Sequence, residues 1–260
     1  MQEIIAIINE KGGVSKTTTA AALSSGLRMN GLRVLSVDLD TQGNLTHVMG
    51  AAEGGPTILD VMMDKVSVME AVQHTGQGDI IVASPSLARA EALITGEHKE
   101  EKLKEALEPA RSAYDVIVLD IPPGLSLVTI MALTATTSAI IPVIADILSA
   151  KGLAQLYQIV EAIRQKSNPS LNLMGILLTR YNSRSILRRD MATVLRDTAK
   201  KINTKVFKAA IREAVAVGEA QVQQQDLFSY SPKSKVAEDY KAFVTEVIND
   251  IQPRKARRKA

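Results

Sequence analysis

Seven short apolar runs, rich in valine, isoleucine and leucine, recur along the chain and alternate with helical patterns. The runs are Glu3–Asn9, Arg33–Asp40, Asp79–Ser84, Tyr114–Ile121, Ser138–Ala145, Leu171–Tyr181 and Lys205–Ile211. The helical patterns are clearest at Thr17–Asn30, Lys99–Ser112, Ser149–Lys166 and Ser185–Lys201. Near-continuous apolar runs indicate strands buried on both faces, and their alternation with helices favours parallel pairing. The sequence therefore predicts an α/β fold, a doubly wound and mostly parallel sheet flanked by helices, which binds ligands at the carboxyl ends of its strands.

The composition fits a folded chain with one sizeable core. Hydrophobic residues make up 46% of the 260 residues and charged residues 23%. No repeat or linker divides them, so we expect a single domain over residues 1–252. There is no cysteine, which excludes disulfides and cysteine-ligated iron–sulfur clusters. No apolar run approaches the roughly 18 residues of a membrane span and no basic leader precedes Glu3, so a cytoplasmic protein is expected.

The most specific segment lies between the first apolar run and the first helical pattern. It reads Asn9-Glu10-Lys11-Gly12-Gly13-Val14-Ser15-Lys16-Thr17-Thr18. A glycine-rich turn at this place lets backbone N–H groups face a phosphate, and the helix N-terminus adds partial positive charge. In such a loop Lys16 is expected to contact the β- and γ-phosphates and the Thr17 hydroxyl to hold Mg²⁺. The segment from Lys11 to Thr18 (Lys11, Gly12, Gly13, Val14, Ser15, Lys16, Thr17 and Thr18) is therefore predicted to bind a nucleotide.

Two aspartates stand where apolar runs end. Asp40 closes the second run and Asp120 the fourth, which continues into Ile121-Pro122-Pro123-Gly124. In a parallel sheet these ends open onto the same edge as the glycine-rich loop, so both carboxylates are expected beside the phosphates and a magnesium ion. Asp38 lies one step deeper in its strand and is the weaker candidate.

The loop and the segment Asp38-Leu39-Asp40-Thr41-Gln42-Gly43-Asn44 together resemble the ParA/Soj partitioning ATPases of the deviant-Walker ParA/MinD superfamily. The resemblance spans nearly the whole chain and implies ATP or ADP and Mg²⁺ as cofactors. It assigns catalytic roles to Lys11, Lys16, Asp40 and Asp120, with Asp40 orienting the attacking water and Asp120 holding Mg²⁺ through water.

The same resemblance implies a homodimer that closes on ATP, in which Lys11 reaches the phosphates of the partner subunit. A ParB/Spo0J-like partner is then expected to stimulate slow hydrolysis. By resemblance the adenine is held near Asn182 and Arg212. One departure matters most: Ser15 stands where the family has glycine, and serine fits there if its φ is negative. We hypothesise that Ser15→Gly raises ATP affinity or turnover.

Positive charge is concentrated in two segments. Residues 180–212 hold ten Lys or Arg residues and two acidic residues, and the tail from Pro253 holds five basic residues and no acidic one. The helical pattern at Ser185–Lys201 places Leu187, Met191, Val194 and Leu195 on one side and Arg188, Arg189, Arg196 and Lys200 broadly opposite. Aromatic residues make up only 3% of the chain, so contact with DNA phosphates is favoured over base reading. The predicted contacts to non-specific double-stranded DNA are Arg184, Arg188, Arg189, Arg196, Lys200 and Arg212, with a basic, disordered tail at 253–260 as a possible addition.

These features predict a nucleoid-associated partitioning ATPase and leave two alternatives open. The last helical pattern, at about Lys235–Ile251, is amphipathic and would suit a MinD-like, membrane-associated positioning ATPase. Ser15 would suit a nucleotide switch that does not hydrolyse ATP.

Overall fold

The computed structural model describes residues 3–52 and 54–257. Its strands are β1 (Glu3–Ile7), β2 (Val34–Asp38), β3 (Gln73–Thr75), β4 (Gly78–Ile81), β5 (Val116–Asp120), β6 (Ser138–Ile144), β7 (Asn172–Thr179) and β8 (Val206–Ala210). Its helices are α1 (Lys16–Met29), α2 (Asn44–Val48), α3 (Ile58–Met62), α4 (Ala90–Leu93), α5 (Lys102–Leu107), α6 (Leu127–Ala135), α7 (Ser149–Lys166), α8 (Ile186–Lys201), α9 (Val215–Val222), α10 (Leu227–Tyr230) and α11 (Lys235–Arg257). Short 3₁₀ segments lie at Pro85–Arg89, Lys99–Glu101 and Pro109–Ser112.

The eight strands form one sheet in the order β3-β4-β2-β5-β1-β6-β7-β8. Every neighbouring pair is parallel except β3 with β4, which confirms the predicted doubly wound, mostly parallel fold. β3 is the strand that the sequence did not predict, because Gln-His-Thr lacks the apolar residues that mark the others. It joins β4 through a two-residue hairpin loop, a connection open only to antiparallel strands.

The sheet is buried on both faces because successive side chains of a strand point to opposite sides. In β1, Ile4 and Ala6 pack in the core that includes α5, α6, α7 and α8. Ile5 and Ile7 pack on the other face, with Leu23 of α1 and Phe243 of α11. The near-continuous apolar runs of the sequence follow from this double burial.

The register of the central strands brings the predicted site residues to one edge. β1 lies between β5 and β6, and Ile7 is the register partner of Asp120. β2 flanks β5 on its other side, where Asp38 is the partner of Asp120. The loop that follows β1 therefore begins beside the carboxylates that end β2 and β5.

The structure differs from the sequence pattern at two helices. α8 buries Ala192, Leu195 and Ala199, whereas Leu187 and Val194 are 51% and 42% exposed. The sequence pattern gave weight to large apolar residues, but α8 packs through two alanines, which allow close approach to the sheet. The tail was predicted to be disordered from Pro253, yet α11 continues to Arg257. Residues 258–260 lie outside the described part of the chain.

Candidate nucleotide site

The loop between β1 and α1 forms a cradle that its own lysine closes. Lys16 Nζ donates hydrogen bonds to the backbone oxygens of Asn9 at 3.0 Å and Lys11 at 3.1 Å. Thr179 Oγ1 donates to the Val14 oxygen at 3.1 Å and anchors the loop to β7. Burial lowers the pKa of the Lys16 ammonium, and the carboxylates of Asp120 and Asp40 oppose that shift. Lys16 is thus a buried cation whose hydrogen bonds to two backbone oxygens can be replaced by stronger ones to a phosphate.

Asp120 is a buried carboxyl group that lacks the usual hydrogen-bond partners among the described residues. Its side chain is buried, and neither carboxylate oxygen has a hydrogen-bond partner among the described residues. Burial, followed by the nearby charge of Asp38, raises the pKa of Asp120 to about 8, although the Thr17 hydroxyl opposes the rise. An unsatisfied buried carboxylate beside a threonine hydroxyl is the donor set expected around a divalent cation in a nucleotide site.

Asp38 and Asp40 have different surroundings, although they are only two residues apart. Asp38 Oδ2 accepts from Thr46 N and Thr46 Oγ1, both at 2.8 Å, and Asp38 Oδ1 accepts from Asp40 N at 3.0 Å. Burial raises the pKa of Asp38, and these hydrogen bonds oppose the rise. Asp38 therefore holds α2 in place, whereas Asp40 lines the cavity described next.

A cavity of about 670 Å³ lies over the cradle. It is lined by Gly12, Gly13, Ser15, Lys16, Thr17, Thr18, Asp40, Gln42, Asn44, His47, Val48, Pro123, Gly218, Gln221 and Val222. Gly218 and Gln221 belong to α9, whose approach to the loop comes from tertiary packing that the sequence reasoning missed. The glutamine-rich segment 221–225 (Gln-Val-Gln-Gln-Gln) gives no local indication of this contact.

A second cavity of about 310 Å³ shares Gly13, Ser15 and Thr18 with the first. Arg212 lines it, but its Nε and Nη2 donate to the two carboxylate oxygens of Asp239 at 2.6 and 2.7 Å. The hydrogen bond that Arg212 donates to the Asp239 carboxylate raises the pKa of the guanidinium. Asn182 lines neither cavity, and its Oδ1 accepts from Arg184 N at 3.0 Å. The structure thus does not bring Asn182 to either cavity, and it ties Arg212 to a carboxylate.

Lys11 lies apart from the cavity that Lys16 serves. Its Nζ pairs with Asp146 Oδ2 at 2.5 Å, and its side chain is 43% exposed. Burial alone would raise the pKa of Asp146, but hydrogen bonds from Lys11 and Ser149 outweigh burial and lower it. Directly after Asp146, the side chains of Ile147 and Leu148 are 71% and 67% exposed.

The predicted DNA contacts divide into two groups. Lys200 pairs with Asp197 at 3.3 Å, and Arg212 pairs with Asp239. Arg184, Arg188, Arg189 and Arg196 have no ion pair with any described residue. Arg188 Nη1 lies 3.5 Å from the Ala145 oxygen, so this arginine cluster begins beside the Asp146 that holds Lys11.

Ser15 does not meet the condition under which serine fits its position. Its φ is +68° and its ψ is +33°, in the left-handed region, and its side chain makes no capping hydrogen bond to α1. A Cβ in this conformation costs about 1 kcal/mol or more, a penalty that glycine avoids. We expect Ser15→Gly to raise the free energy of unfolding by about 1 kcal/mol, or roughly 2–4 °C in Tm. Thermal unfolding of the nucleotide-free protein measures this.

Ser15→Ala is the matched control, because it removes the hydroxyl and keeps the Cβ. Its stability is expected to match that of the parent protein. A glycine variant no more stable than the alanine variant would contradict backbone strain at this position. Since Ser15 lines both cavities, the glycine variant is also expected to bind or turn over ATP better.

Comparisons with known proteins identify relatives over nearly the whole chain. A family model described as an AAA domain matches residues 2–173. The sporulation initiation inhibitor protein Soj of Bacillus subtilis is 38% identical over 252 residues, covering 95% of this chain and 98% of Soj. The chromosome partitioning protein ParA of Myxococcus xanthus is 33% identical, covering 98% of this chain and 91% of that protein.

Two solved structures share the fold over almost the whole chain. One is cobyrinic acid a,c-diamide synthase from Mycobacterium smegmatis with bound ADP and magnesium, with 31% identity, a TM-score of 0.84 and coverage of 97% of this chain and 96% of that one. The other is the cell division ATPase MinD from Pyrococcus furiosus, with 25% identity, a TM-score of 0.77 and coverage of 96% and 99%. With Lys11 and Lys16 on one glycine-rich loop and with full-length relatives such as Soj and ParA, this chain belongs to the ParA/MinD family of ATPases.

Proposed function

We propose that this ParA-type ATPase acts in DNA segregation: it forms a dimer around ATP, binds DNA non-specifically and releases it on hydrolysis. The observation that carries the proposal is a set of four arginines (Arg184, Arg188, Arg189 and Arg196) that pair with no carboxylate among the described residues. One of them, Arg188, contacts the Ala145 oxygen next to the Lys11–Asp146 pair. The two features link a polyanion-binding surface to the nucleotide site. A ParB/Spo0J-like partner is proposed to stimulate the hydrolysis, as the similarity to Soj and ParA supports.

The residues of the cradle fit ATP with Mg²⁺. Lys16 provides a buried cation for the phosphates, and Thr17 and the unsatisfied Asp120 provide oxygen atoms for the metal. When bound, Mg·ATP supplies the phosphoryl group that is transferred to water. Asp40 lines the same cavity, which supports the proposal that it orients that water. Such catalysis depends on positioning and charge neutralisation rather than on a covalent intermediate with the protein.

Dimer formation is supported by what surrounds Lys11. Its ammonium does not line the cavity of its own chain, and Ile147 and Leu148 beside it are largely exposed. A second copy that covers this surface would bury the two apolar side chains and receive Lys11 at its phosphates. Lys11 must leave Asp146 for this, so the ion pair holds the lysine in the nucleotide-free monomer.

The DNA contact is tested by changing Arg184, Arg188 and Arg189 to glutamate together. Because each phosphate contact contributes about 0.9 to the slope of log affinity against log salt, the triple variant is expected to lower DNA affinity at least about 10-fold and to flatten the slope. The measurement is DNA retardation with ATP, with ADP and without nucleotide, at several salt concentrations.

A charge-matched control carries glutamate at Arg89, Lys99 and Lys104, which lie on other elements. This control is expected to retain much more of the DNA affinity than the first triple variant. Equal losses in both would reduce the effect to net charge, and unaltered DNA binding by the first variant would refute the assignment of the arginine cluster.

One observation favours a second function, a nucleotide switch that does not hydrolyse ATP. The left-handed φ of Ser15 at the cradle is the reason, and an assay of phosphate release with DNA present separates the two functions. The amphipathic pattern of α11 no longer supports a membrane-associated ATPase, because its apolar face, including Val236, Tyr240 and Phe243, is buried in the core. In the described part of the chain, no helix has the length and apolarity to cross a membrane.

A further inference from the structure

One hydrogen bond joins α9 to the first turn of α1 at the edge of the nucleotide cavity. Gln221 Nε2 donates to Thr18 Oγ1 at 3.0 Å. Thr18 lines both cavities, and Gln221 lines the larger one. The residues are 203 positions apart in the sequence, so this contact exists only in the folded protein. Thr18 belongs to the predicted nucleotide-binding loop, whereas Gln221 has been given no role in binding or hydrolysis.

The direction of this hydrogen bond decides what the threonine can do. A threonine hydroxyl has one proton to donate and two lone pairs that accept. Because the Gln221 amide donates, it occupies a lone pair of Oγ1, and the hydroxyl proton remains available to another acceptor. Phosphate oxygens accept hydrogen bonds and carry negative charge, so a hydroxyl that presents its proton to the cavity suits them.

The backbone at the end of α9, which carries Gln221, is fixed by hydrogen bonds. At the end of α9, Gln225 N donates to the Ala220 oxygen at 2.9 Å. Gln77 Nε2 donates to the Gln224 oxygen at 2.8 Å and also to the Val48 oxygen. The end of α9 is thus fixed to α2, the helix that follows Asp40, and Gln221 needs little reordering when a ligand enters.

We propose that Gln221 is a positioning residue of the nucleotide site, which holds the Thr18 hydroxyl with its proton directed at the phosphate chain. The inference rests on the proposed function, because its ligand is an adenine nucleotide. Gln221 touches Thr18 and acts through it.

The test compares two substitutions that are expected to weaken nucleotide binding to different extents. Gln221→Ala removes the donor and is expected to weaken Mg·ATPγS binding about 3- to 5-fold, in the range of one lost hydrogen bond. Gln221→Glu replaces the donor with a carboxylate, which accepts a hydrogen bond from the Thr18 hydroxyl so that its proton no longer faces the phosphates. The substitution also places negative charge beside the phosphates. It is expected to weaken binding at least about 10-fold. Titration calorimetry without DNA measures both.

Two controls separate positioning from a structural effect. Gln223→Glu adds the same charge at an exposed position just beyond α9 and is expected to leave affinity within about 2-fold of the parent, because solvent screens it. Thr18→Val removes the hydroxyl, and in that background Gln221→Ala is expected to have no further effect, since the two groups act as a unit. Tm values of the nucleotide-free variants confirm that each is folded.

Several outcomes overturn the inference. These are normal binding by Gln221→Glu, an equal loss in Gln223→Glu, or an undiminished effect of Gln221→Ala without the threonine hydroxyl. If the parent protein binds ATPγS and the Gln221 variants bind equally well, positioning alone is refuted. If the folded parent protein does not bind ATPγS, the proposed function is refuted with it.

Discussion

Lys16→Ala is expected to lower ATP affinity at least about 100-fold, whereas Lys11→Ala leaves ATP affinity within about 3-fold and abolishes the ATP-dependent dimer. Lys16 is a buried cation whose present partners, two backbone oxygens, are weak competitors for a phosphate. Lys11 makes its contact outside the cavity, at Asp146, and is well exposed. The two lysines are five residues apart on one loop, yet they are expected to serve nucleotides in different subunits.

Calorimetry with Mg·ATPγS measures affinity, light scattering after gel filtration measures the dimer, and phosphate release measures turnover. Both variants are expected to lose hydrolysis by about 100-fold or more. Lys104→Ala removes an exposed lysine of α5 and controls for net charge. If Lys11→Ala lost as much affinity as Lys16→Ala, Lys11 would act on the nucleotide of its own chain and the proposed dimer would be wrong.

Asp120→Asn is expected to stabilise the nucleotide-free protein while removing its magnesium-dependent hydrolysis. The pKa of Asp120 is raised to about 8 in the folded protein by burial, so between about pH 4 and pH 8 the folded state holds a proton that the unfolded state has released. The free energy of unfolding therefore falls as pH rises through this window, by the linkage relation. Asparagine carries no such charge, and after the desolvation of its amide we expect a gain on the order of 2 kcal/mol at pH 8.

Urea unfolding at pH 5, 6, 7 and 8 tests the sign. The difference in stability between Asp120→Asn and the parent is expected to grow with pH up to about 8, while phosphate release is lost at every pH. Asp190→Asn, at an exposed position of α8, is the matched control and is expected to show no such trend. A difference that shrank toward pH 8 would mean that Asp120 is not a destabilising buried acid.

The sequence was sufficient for the fold and for the place of the site because both depend on local patterns. Strands that are buried on both faces of the sheet appear in the sequence as near-continuous apolar runs. A glycine-rich loop between a strand and a helix predicts the phosphate cradle. Asp120 ends β5 and Asp40 lies two residues beyond the end of the parallel strand β2, so parallel pairing brings both to the same edge of the sheet. The sequence could not supply the φ of Ser15, which the conformation of the whole loop decides.

Features that depend on contacts between residues far apart in the chain could not be predicted from local sequence patterns. Arg212 was predicted to contact DNA and to lie near the adenine, and its ion pair with Asp239 was not foreseen because Asp239 comes from α11. The packing of α8 through Ala192 and Ala199 escaped the pattern because alanine contributes little to apolar periodicity. The approach of Gln221 to Thr18 joins opposite ends of the chain and has no local signature.

The central place of β1 has a consequence for synthesis on the ribosome. The first strand made is flanked by β5 and β6, whose register partners for it begin only at Val116 and Ser138. Until those segments have left the exit tunnel, an apolar strand stays unpaired and open to wrong association, as is typical of non-local sheets. Stalled nascent chains that have not yet exposed Ser138 should therefore be unable to retain nucleotide, and binding competence should appear late in translation.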